Sequence, residues 1–239
     1  MRILAIETSG SYASLAVVVV REPHHPEGTR REDTILLAER TYLARRTICS
    51  SLAGEIRGLL AVAGVVPQDL NAVACSQGPG SFTSLRVGVA TANALAQALK
   101  VPLVGVPALQ IVAASTSLPA GSSVLAASPS KRTEVFLQCW TNVPPWRPKG
   151  PMAPVDLADL GGHFDSGGLC FLAGEKARSW VLEAGLPESV ALELPPGAFS
   201  LAKLARDVLL GVDPESLVPP PYLLPLYGRL AQPEERSPA

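Results

Sequence analysis

GPGSFTSLRVGVATANALAQAL, residues 78–99, is the stretch of the sequence that decides the fold. It follows AVACS, residues 72–76, a short apolar run that predicts a buried strand. The stretch opens with two glycines around a proline, which predict a tight loop, and Ser81 follows as a residue that can cap a helix. This order of strand, glycine loop, cap and helix directs backbone N–H groups and the positive helix end toward whatever lies above the loop.

The helix predicted after the loop has a surface made almost entirely of small residues. It extends from about residue 83 to residue 99. Its small positions are Gly88, Ala90, Ala92, Ala94, Ala96 and Ala98. Because small side chains allow a second helix to approach closely, the composition favours close helix–helix packing.

The composition is typical of a globular protein. The chain has 239 residues, enough for one large domain or two smaller lobes, and 47% of them are hydrophobic while 17% are charged. The formal net charge of −1 argues against autonomous binding to nucleic acid, which usually needs a basic surface.

The four cysteines indicate a reducing compartment. None lies in a C-x-x-C pair and no secretory segment precedes them, so we expect reduced thiols. The apolar run LAVVVV, residues 15–20, is too short to cross a bilayer. We therefore expect a cytoplasmic location and no membrane partner.

Residues 1–115 predict the order β-β-β-α-β-α-β-α. The β-branched content at the start and the small polar turn at residues 8–13 predict a hairpin followed by a third strand. An apolar stripe at helical spacing predicts the first helix. The predicted elements are strands 2–7, 14–20 and 34–39, helix 48–62, strand 72–76, the small-residue helix to 99, strand 102–106 and a helix beginning at Pro107.

The second half carries a weaker signal and repeats the hairpin theme with fewer parts. The predicted elements are strands 122–128 and 133–140, an irregular loop at 143–154, strand 169–174, a short helix ending at Gly185, strand 190–194 and helix 199–211. The domains predicted are an N-terminal lobe at 1–115, a smaller C-terminal lobe at 116–218 and a proline-rich tail at 219–239.

Two turns in the first half are candidate phosphate-binding loops. The glycine loop lacks the lysine of a P-loop, and Thr83 stands where the dinucleotide fingerprint needs its third glycine. An ordinary helix start capped by Ser81 or Thr83, and an ordinary hairpin turn at residues 7–9, therefore remain alternatives. The candidate contacts for a phosphate or nucleotide are Glu7, Thr8, Ser9, Gly78, Gly80 and Ser81.

Metal and nucleophile motifs are missing from the sequence. The three histidines form neither H-x-x-x-H nor H-E-x-x-H, and G-x-S-x-G does not occur. The segment GGHFDSGG, residues 161–168, brings histidine, aspartate and serine close in sequence, but a flexible loop is the simpler interpretation because triads converge through the fold. We expect no catalytic residue and no metal ligand.

Several motifs together resemble the TsaB family, also called YeaZ, of bacterial tRNA threonylcarbamoyladenosine biosynthesis proteins. The likeness covers about residues 1–115 and is thin beyond them, where TEVF and the terminal PLYGR carry it. The motifs are ILAIETS at 3–9, GPGSFTSLRVG at 78–88, PLVGVPAL at 102–109 and PLYGR at 225–229.

The resemblance implies an α/β fold of the actin-like, sugar-kinase and chaperone-ATPase type, with two RNase-H-like lobes of which the second is reduced. It implies a non-catalytic partner of the catalytic subunit TsaD, which places a threonylcarbamoyl group on N6 of adenosine 37 in tRNAs that read codons beginning with A. It also implies TsaE, a regulatory ATPase, as a further partner, a homodimer when alone and only indirect contact with tRNA. The chain itself would require no cofactor, while ATP or ADP is compatible with the complex.

The resemblance places partner binding on the two helices of the N-terminal lobe. Arg86, Ala90, Asn93 and Gln97 recur at helical spacing on one outward face of the second helix, and together with Gly54 and Arg57 on the first they are the candidate partner-binding residues. On the second helix, the side chains of Val87, Leu95 and Ala98 are predicted to face the protein core. A close neighbour would explain Gly54 in the middle of the first helix. The alternative is that both helices pack only on their own sheet.

The chain departs from the family pattern near both candidate phosphate loops. Glu7 stands where the family often has aspartate, Ser84 where it usually has glycine, and Gly174-Glu175-Lys176 replaces a Gly-Asp-Gly turn. SPSKR at 128–132 replaces an Asp-Ala-Arg segment, and a His-Ser pair before the first helix is missing. These changes speak against a nucleotide role for this chain and leave the docking helices untouched.

Three other functions stay open at this point. A free-standing ATPase or kinase of the same fold would use Glu7 to hold a metal-bound water, but the aspartate expected in the second lobe is missing. A peptidase has no metal triad or nucleophile to support it. A homodimeric binding module for another partner would use the same helices.

Overall fold

The computed structural model describes residues 1–21, 33–44, 47–143, 146–164, 170–211 and 222–227. In the first half the elements are β1 (Arg2–Glu7), β2 (Tyr12–Arg21), β3 (Asp33–Leu43), α1 (Ile48–Val62), β4 (Ala72–Gly78), α2 (Phe82–Leu99), β5 (Leu103–Pro107) and α3 (Ala108–Ser115). In the second half they are β6 (Ser123–Pro129), β7 (Glu134–Thr141), β8 (Arg147–Pro148), β9 (Ala153–Asp156), β10 (Cys170–Gly174), α4 (Ala177–Glu183), β11 (Ala191–Glu193) and α5 (Ala198–Leu209). The predicted order of the first eight elements is confirmed, with α1 at its predicted bounds.

The first sheet has the strand order β3-β2-β1-β4-β5. Strand β1 pairs antiparallel with β2, as the predicted hairpin requires, and parallel with β4 on its other side. The middle residues of β1, β2 and β4 are almost continuously apolar because both faces of the sheet are covered. Leu4 and Ile6 point into the core beneath α1 and α2, whereas Ile3 and Ala5 point into the core beneath α5.

The second sheet repeats the arrangement of the first around β6. Its order is β11-β10-β6-β7-β8, and β9 also pairs with β7. Strand β6 pairs antiparallel with β7 and parallel with β10, just as β1 pairs with β2 and β4. The hairpin repeat predicted from the sequence is therefore confirmed, and both sheets are mixed.

The interval at residues 143–154, predicted to be an irregular loop, contains two short strands. Strand β8 and the first residues of β9 pair with β7, which has apolar side chains to cover at this edge. The prolines that suggested a loop are compatible with pairing at an edge strand, where a missing N–H is tolerated.

Helix α5 packs on the first sheet, although the predicted boundary assigned it to the second lobe. Ala198, Leu201 and Ala205 are fully buried against β1 and β2. The Ala198 amide donates to Ser14 Oγ on β2 at 3.1 Å, which fixes the start of the helix. Helix α3, by contrast, packs Leu109 on the second sheet. The two helices thus connect the lobes.

Several predicted features lie partly outside the described residues. The polar loop after β2, most of the proline-rich tail and the end of GGHFDSGG belong to this group. The described start of that last segment is a 3₁₀ helix at Leu157–His163. None of the helices in the described part of the chain combines the length and the apolar character needed to cross a membrane.

Candidate functional site: the interlobe cleft and the flanking helices

A cleft of about 790 Å³ lies between the two lobes. The hairpin tip after β1 and the start of α2 form one wall, and residues after β6 and β10 form the other. Its lining residues are Ser9, Gly10, Ser11, Ile48, Cys49, Gly80, Ser81, Phe82, Thr83, Ser84, Pro129, Ser130, Glu175 and Lys176. The predicted residues Ser9, Gly80 and Ser81 are therefore brought together here.

The hairpin tip and the start of α2 are joined directly by their backbones. The Ser81 amide donates to the Ser9 carbonyl at 2.8 Å, and a Cβ on Gly80 would overlap that same carbonyl. Gly88, two turns further along α2, packs against Thr8, whose Oγ1 is in the place a Cβ would take. The glycines of this motif are thus required by close approach to the hairpin.

Ser81 is the N-cap residue of α2 and is one of the two residues that were predicted to cap this helix. Its side chain makes no capping bond to the helix amides, and instead its hydroxyl donates to Ser84 Oγ at 3.1 Å. Thr83 is already inside the helix.

Glu7 lies beneath the cleft and is fully buried. Its Oε1 accepts from the Ser9 amide at 2.5 Å and from Ser9 Oγ at 2.6 Å, while Oε2 has no partner among the described residues. Burial raises the pKa of Glu7 from 4.5 to about 7; the hydrogen bonds from Ser9 oppose that rise, and the charge of Glu175 adds to it. The carboxyl therefore keeps its proton to a higher pH than an exposed glutamate does.

Thr8 is also buried rather than open to the cleft. Its amide donates to Ser76 Oγ at 3.3 Å, and its hydroxyl has no hydrogen-bond partner among the described residues.

Gly78 lies on the other side of the loop. With φ +106 it adopts a backbone conformation that favours glycine, and a Cβ there would lie 2.6 Å from the Leu226 carbonyl.

The Glu175 side chain extends from the second lobe to the hairpin tip of the first lobe. Its Oε2 accepts from the Ser11 amide at 2.9 Å. A Cβ on Gly10 would lie 2.5 Å from that same oxygen, so a larger residue here would push the carboxylate out of its present position. The sequence shows that Glu175 stands where the family pattern has aspartate, but nothing in the sequence predicts a contact between Glu175 and Ser11.

A C-terminal segment, residues 222–227, lies along one side of α2. Asn93 Nδ2 donates to the Leu223 carbonyl at 3.1 Å, and the Leu223 amide donates to Asn93 Oδ1 at 2.8 Å. Gln77 holds the next residues of the segment: its side-chain Nε2 donates to the Leu224 carbonyl, and its backbone carbonyl accepts from the Leu226 amide. The structure therefore gives Asn93 a role within the chain instead of an open position on the helix.

Arg86 also turns toward this segment. Its Nε donates to the Tyr227 hydroxyl at 2.8 Å, and its guanidinium lies 3.9 Å from the centre of the Phe82 ring. The two rings are themselves 5.1 Å apart. Cation–π and ring contacts of this kind stabilise the end of the segment against α2.

The outer face of α1 is open. Gly54 and Gly58 have no atom within 4 Å of a Cβ built on them, so no neighbour within the described chain explains the glycine at 54. Val62 at the end of the helix is 80% exposed. The exposed residues of this face are Cys49, Ser50, Ala53, Gly54, Arg57, Gly58, Ala61 and Val62.

The adjoining part of α2 is exposed too. Ala90, Ala94 and Gln97 face outward, and Ala98, predicted to look inward, is exposed with them. Val87 and Leu95 are half-buried against the core, in agreement with their predicted inward direction. We call the exposed residues of α1 named above, together with Ala90, Ala94, Gln97 and Ala98, the outer helix face.

Among the described residues, no group of three or more histidine, cysteine, aspartate or glutamate side chains is arranged to hold a metal ion. Cys49, at the start of α1, is exposed at the rim of the cleft. The side chains that line the cleft therefore offer hydroxyls, the Cys49 thiol, the Glu175 carboxylate and the Lys176 amine.

Comparison with known proteins gives this architecture a family context. A solved structure of YeaZ from Pseudomonas aeruginosa superposes with a TM-score of 0.72 at 27% identity, over 95% of this chain and 99% of that chain. The chain is 33% identical over 115 residues to the tRNA threonylcarbamoyladenosine biosynthesis protein TsaB of Bacillus subtilis, covering 48% of this chain and 44% of that protein. The resemblance to TsaB (YeaZ) is confirmed.

Two further matches agree with the TsaB likeness. The TsaB protein of Escherichia coli is 31% identical over 137 residues, covering 57% of this chain and 53% of that protein. The family described as TsaD, tRNA N6-adenosine threonylcarbamoyltransferase, matches residues 42–139. The chain spans about half the length of the TsaB proteins that it matches in sequence. The mixed sheets and the YeaZ likeness identify the fold as actin-like with RNase-H-like lobes, as expected.

Proposed function

We propose that this chain is a non-catalytic scaffold and activator subunit in the synthesis of N6-threonylcarbamoyladenosine at position 37 of tRNAs that read codons beginning with A. It acts by forming a heterodimer with a catalytic subunit of the TsaD type. The names of the TsaB relatives and the match to the TsaD family support this pathway.

The observation that carries the proposal is the open outer helix face. Gly54 and Gly58 lie on an exposed helix where glycine costs about 1 kcal/mol each relative to alanine, and no contact within the described chain offsets that cost. Small residues there let a partner helix approach closely over a large area. The exposed Val62 adds apolar area that a partner would cover.

The C-terminal segment limits the docking area on α2. Arg86 and Asn93, two of the six residues assigned to partner binding, hold that segment. Gly54, Arg57, Ala90 and Gln97 remain exposed and are the residues we assign to the partner. The proposed interface is therefore centred on α1 and on the alanine side of α2.

The position of Glu7 supports a role without chemistry. A carboxylate that held a metal-bound water would have to reach the cleft, whereas Glu7 is fully buried and its Oε1 is bonded to Ser9.

The remaining partners follow from the same proposal. TsaE joins the assembly, tRNA is contacted through the catalytic subunit, and the chain alone forms a homodimer through the outer helix face. The complex works in the cytoplasm, and any ATP or ADP in it serves the other subunits.

The test is tRNA modification in a reconstituted system. Purified TsaD, TsaE, threonylcarbamoyl-AMP and unmodified tRNA are incubated with this chain, and the modified nucleoside is quantified. We expect modification to depend on the wild-type chain and to be lost with Gly54→Arg, whereas Ala158→Arg, an equally exposed change on the second lobe, retains it. Equal modification without the chain, or ATP turnover by the chain alone that Glu7→Gln abolishes, would overturn the proposal.

A further inference from the structure

The hairpin tip of the cleft offers few amide donors to a ligand, because the protein uses them itself. The Ser9 amide donates to Glu7, the Ser11 amide to Glu175, the Thr8 amide to Ser76 and the Ser81 amide to the Ser9 carbonyl. In anion-binding turns it is such amides that hold a phosphate. In this protein, all four of these backbone amides already donate to an oxygen of the protein itself.

The acceptor on Ser11 is an anion supplied by the opposite lobe. Glu175 Oε2 lies 2.9 Å from the Ser11 nitrogen, and it is so close to Gly10 that a Cβ there would be 2.5 Å from it. A hydrogen bond from a backbone amide to a carboxylate is shorter and stronger than one to a neutral acceptor. The carboxylate thus takes the position above the hairpin that a phosphate oxygen would need.

The charges around this point would repel a phosphate further. The Glu175 carboxylate lies at the turn itself, and Lys176 is the basic residue among the described lining residues of the cleft. Like charges at close range repel each other, and they repel more strongly where water is partly excluded. The hairpin side of the cleft therefore does not fit a phosphate group while Glu175 is bonded to Ser11.

We propose that Glu175 is an internal anion that closes the hairpin side of the cleft against phosphate ligands and joins the two lobes. The Glu175 carboxylate occupies the place that an anionic ligand would occupy. It accepts the hydrogen bond from the Ser11 amide, and the absence of a side chain at Gly10 leaves space for it. This inference does not depend on the binding of TsaD, because it concerns the chain alone.

Two measurements on the full chain test the inference. Hydrogen exchange at the Ser11 amide reports on the contact with Glu175, and calorimetric titration with inorganic tripolyphosphate reports on the anion site. The variant is Glu175→Ala, and the control is Glu183→Gln, which removes the same charge from an exposed position on α4. Far-ultraviolet circular dichroism checks that each variant is folded.

We expect Glu175→Ala to exchange the Ser11 amide at least about tenfold faster and to bind tripolyphosphate at least about tenfold more tightly than the wild type, a tenfold change being 1.4 kcal/mol. The Glu183→Gln control should match the wild type in both. Unchanged exchange at Ser11, or tripolyphosphate affinity equal in the wild type and Glu175→Ala, would overturn the inference.

A second variant approaches the contact from the other side and keeps every charge. In Gly10→Ala, the new Cβ would lie 2.5 Å from Glu175 Oε2 and would displace it, while the backbone conformation at this glycine is not one that excludes alanine. We expect faster exchange at Ser11 in this variant as well. Exchange as slow as in the wild type would show that the carboxylate does not protect this amide.

Discussion

Asn93 and Leu223 hold each other through two hydrogen bonds, in which the side-chain amide of Asn93 pairs with both backbone groups of Leu223 at 3.1 and 2.8 Å. The two residues are 130 positions apart. The Leu223 side chain is 97% buried in the core shared by the first sheet, α1 and α2. A six-residue C-terminal segment is thereby part of the N-terminal lobe, and it determines which side of α2 stays open.

Replacing Asn93 should release this segment. We expect Asn93→Ala to lower the free energy of unfolding by about 1–3 kcal/mol, because both backbone groups of Leu223 lose their partner. Urea unfolding followed by fluorescence measures the change. Gln97→Ala, one turn further along α2 and exposed, should stay within about 0.5 kcal/mol of the wild type. Equal effects of the two substitutions would contradict this role of Asn93.

The side chain of Leu223 gives a second test of the same segment. Leu223→Ala should cost about 2–4 kcal/mol, since it leaves a cavity in the core. Leu224 next to it is 64% exposed, so Leu224→Ala should change the stability by no more than about 0.5 kcal/mol. Denaturant midpoints of the two variants compare them directly, and a reversed order would show that the segment does not pack as described.

The buried carboxyl of Glu7 should make stability depend on pH. Its pKa in the folded chain is raised from 4.5 to about 7, so the folded state binds the proton more tightly than the unfolded state. This contribution is therefore complete below about pH 4.5 and is lost as the pH rises through about 7, by roughly 3 kcal/mol in total.

The comparison with Glu7→Gln isolates that contribution from the other carboxyl groups. We expect the stability difference between the wild type and Glu7→Gln to shift in favour of the variant between pH 5 and pH 8, measured by urea unfolding at each pH. A difference that stays constant over this range would show that Glu7 titrates normally.

Two glycines on neighbouring helices should respond in opposite directions to the same substitution. Gly88→Ala should destabilise the chain by about 1–3 kcal/mol because its Cβ would overlap Thr8 Oγ1. Gly58→Ala should stabilise it by about 0.5–1 kcal/mol, since the space there is open and alanine is the better helix former. Thermal unfolding of both variants at a concentration where the chain is monomeric gives the signs, and a loss of stability in Gly58→Ala would mean that the glycine has a contact within the chain.

Local patterns predicted most of the first lobe. The stripe through Ile48, Leu52, Ile56 and Leu59 predicted α1 at its bounds, and all four are buried. The continuous apolar run of β4 and the glycine loop after it predicted the junction with α2. These signals are local, so they need no knowledge of distant partners.

The long-range contacts could not be predicted in the same way. The C-terminal segment has no hydrophobic period because of its prolines, so nothing in it indicated that Leu223 would be buried. Asn93 was interpreted as an outward polar residue, since its spacing shows a helix face but not what lies on it. The contact between Glu175 and Ser11 joins two lobes across 164 positions, and no local signal marks it.

The placement of α5 shows the same limit. Its amphipathic pattern predicted that one face is buried, and that face is buried. The pattern carries no information on which sheet receives it, and the chain order suggested the second lobe. The bond from the Ala198 amide to Ser14 Oγ and the small residues of the helix select the first sheet instead.

The most direct test of the proposed function is the affinity of this chain for purified TsaD, measured by isothermal titration calorimetry with three forms of the chain. We expect the wild type and Ala158→Arg to bind with the same affinity, and Gly54→Arg to bind at least about a hundredfold more weakly, which corresponds to about 2.7 kcal/mol. Equal affinity of Gly54→Arg and the wild type, or no binding by the wild type, would contradict the assignment of the outer helix face as the docking surface.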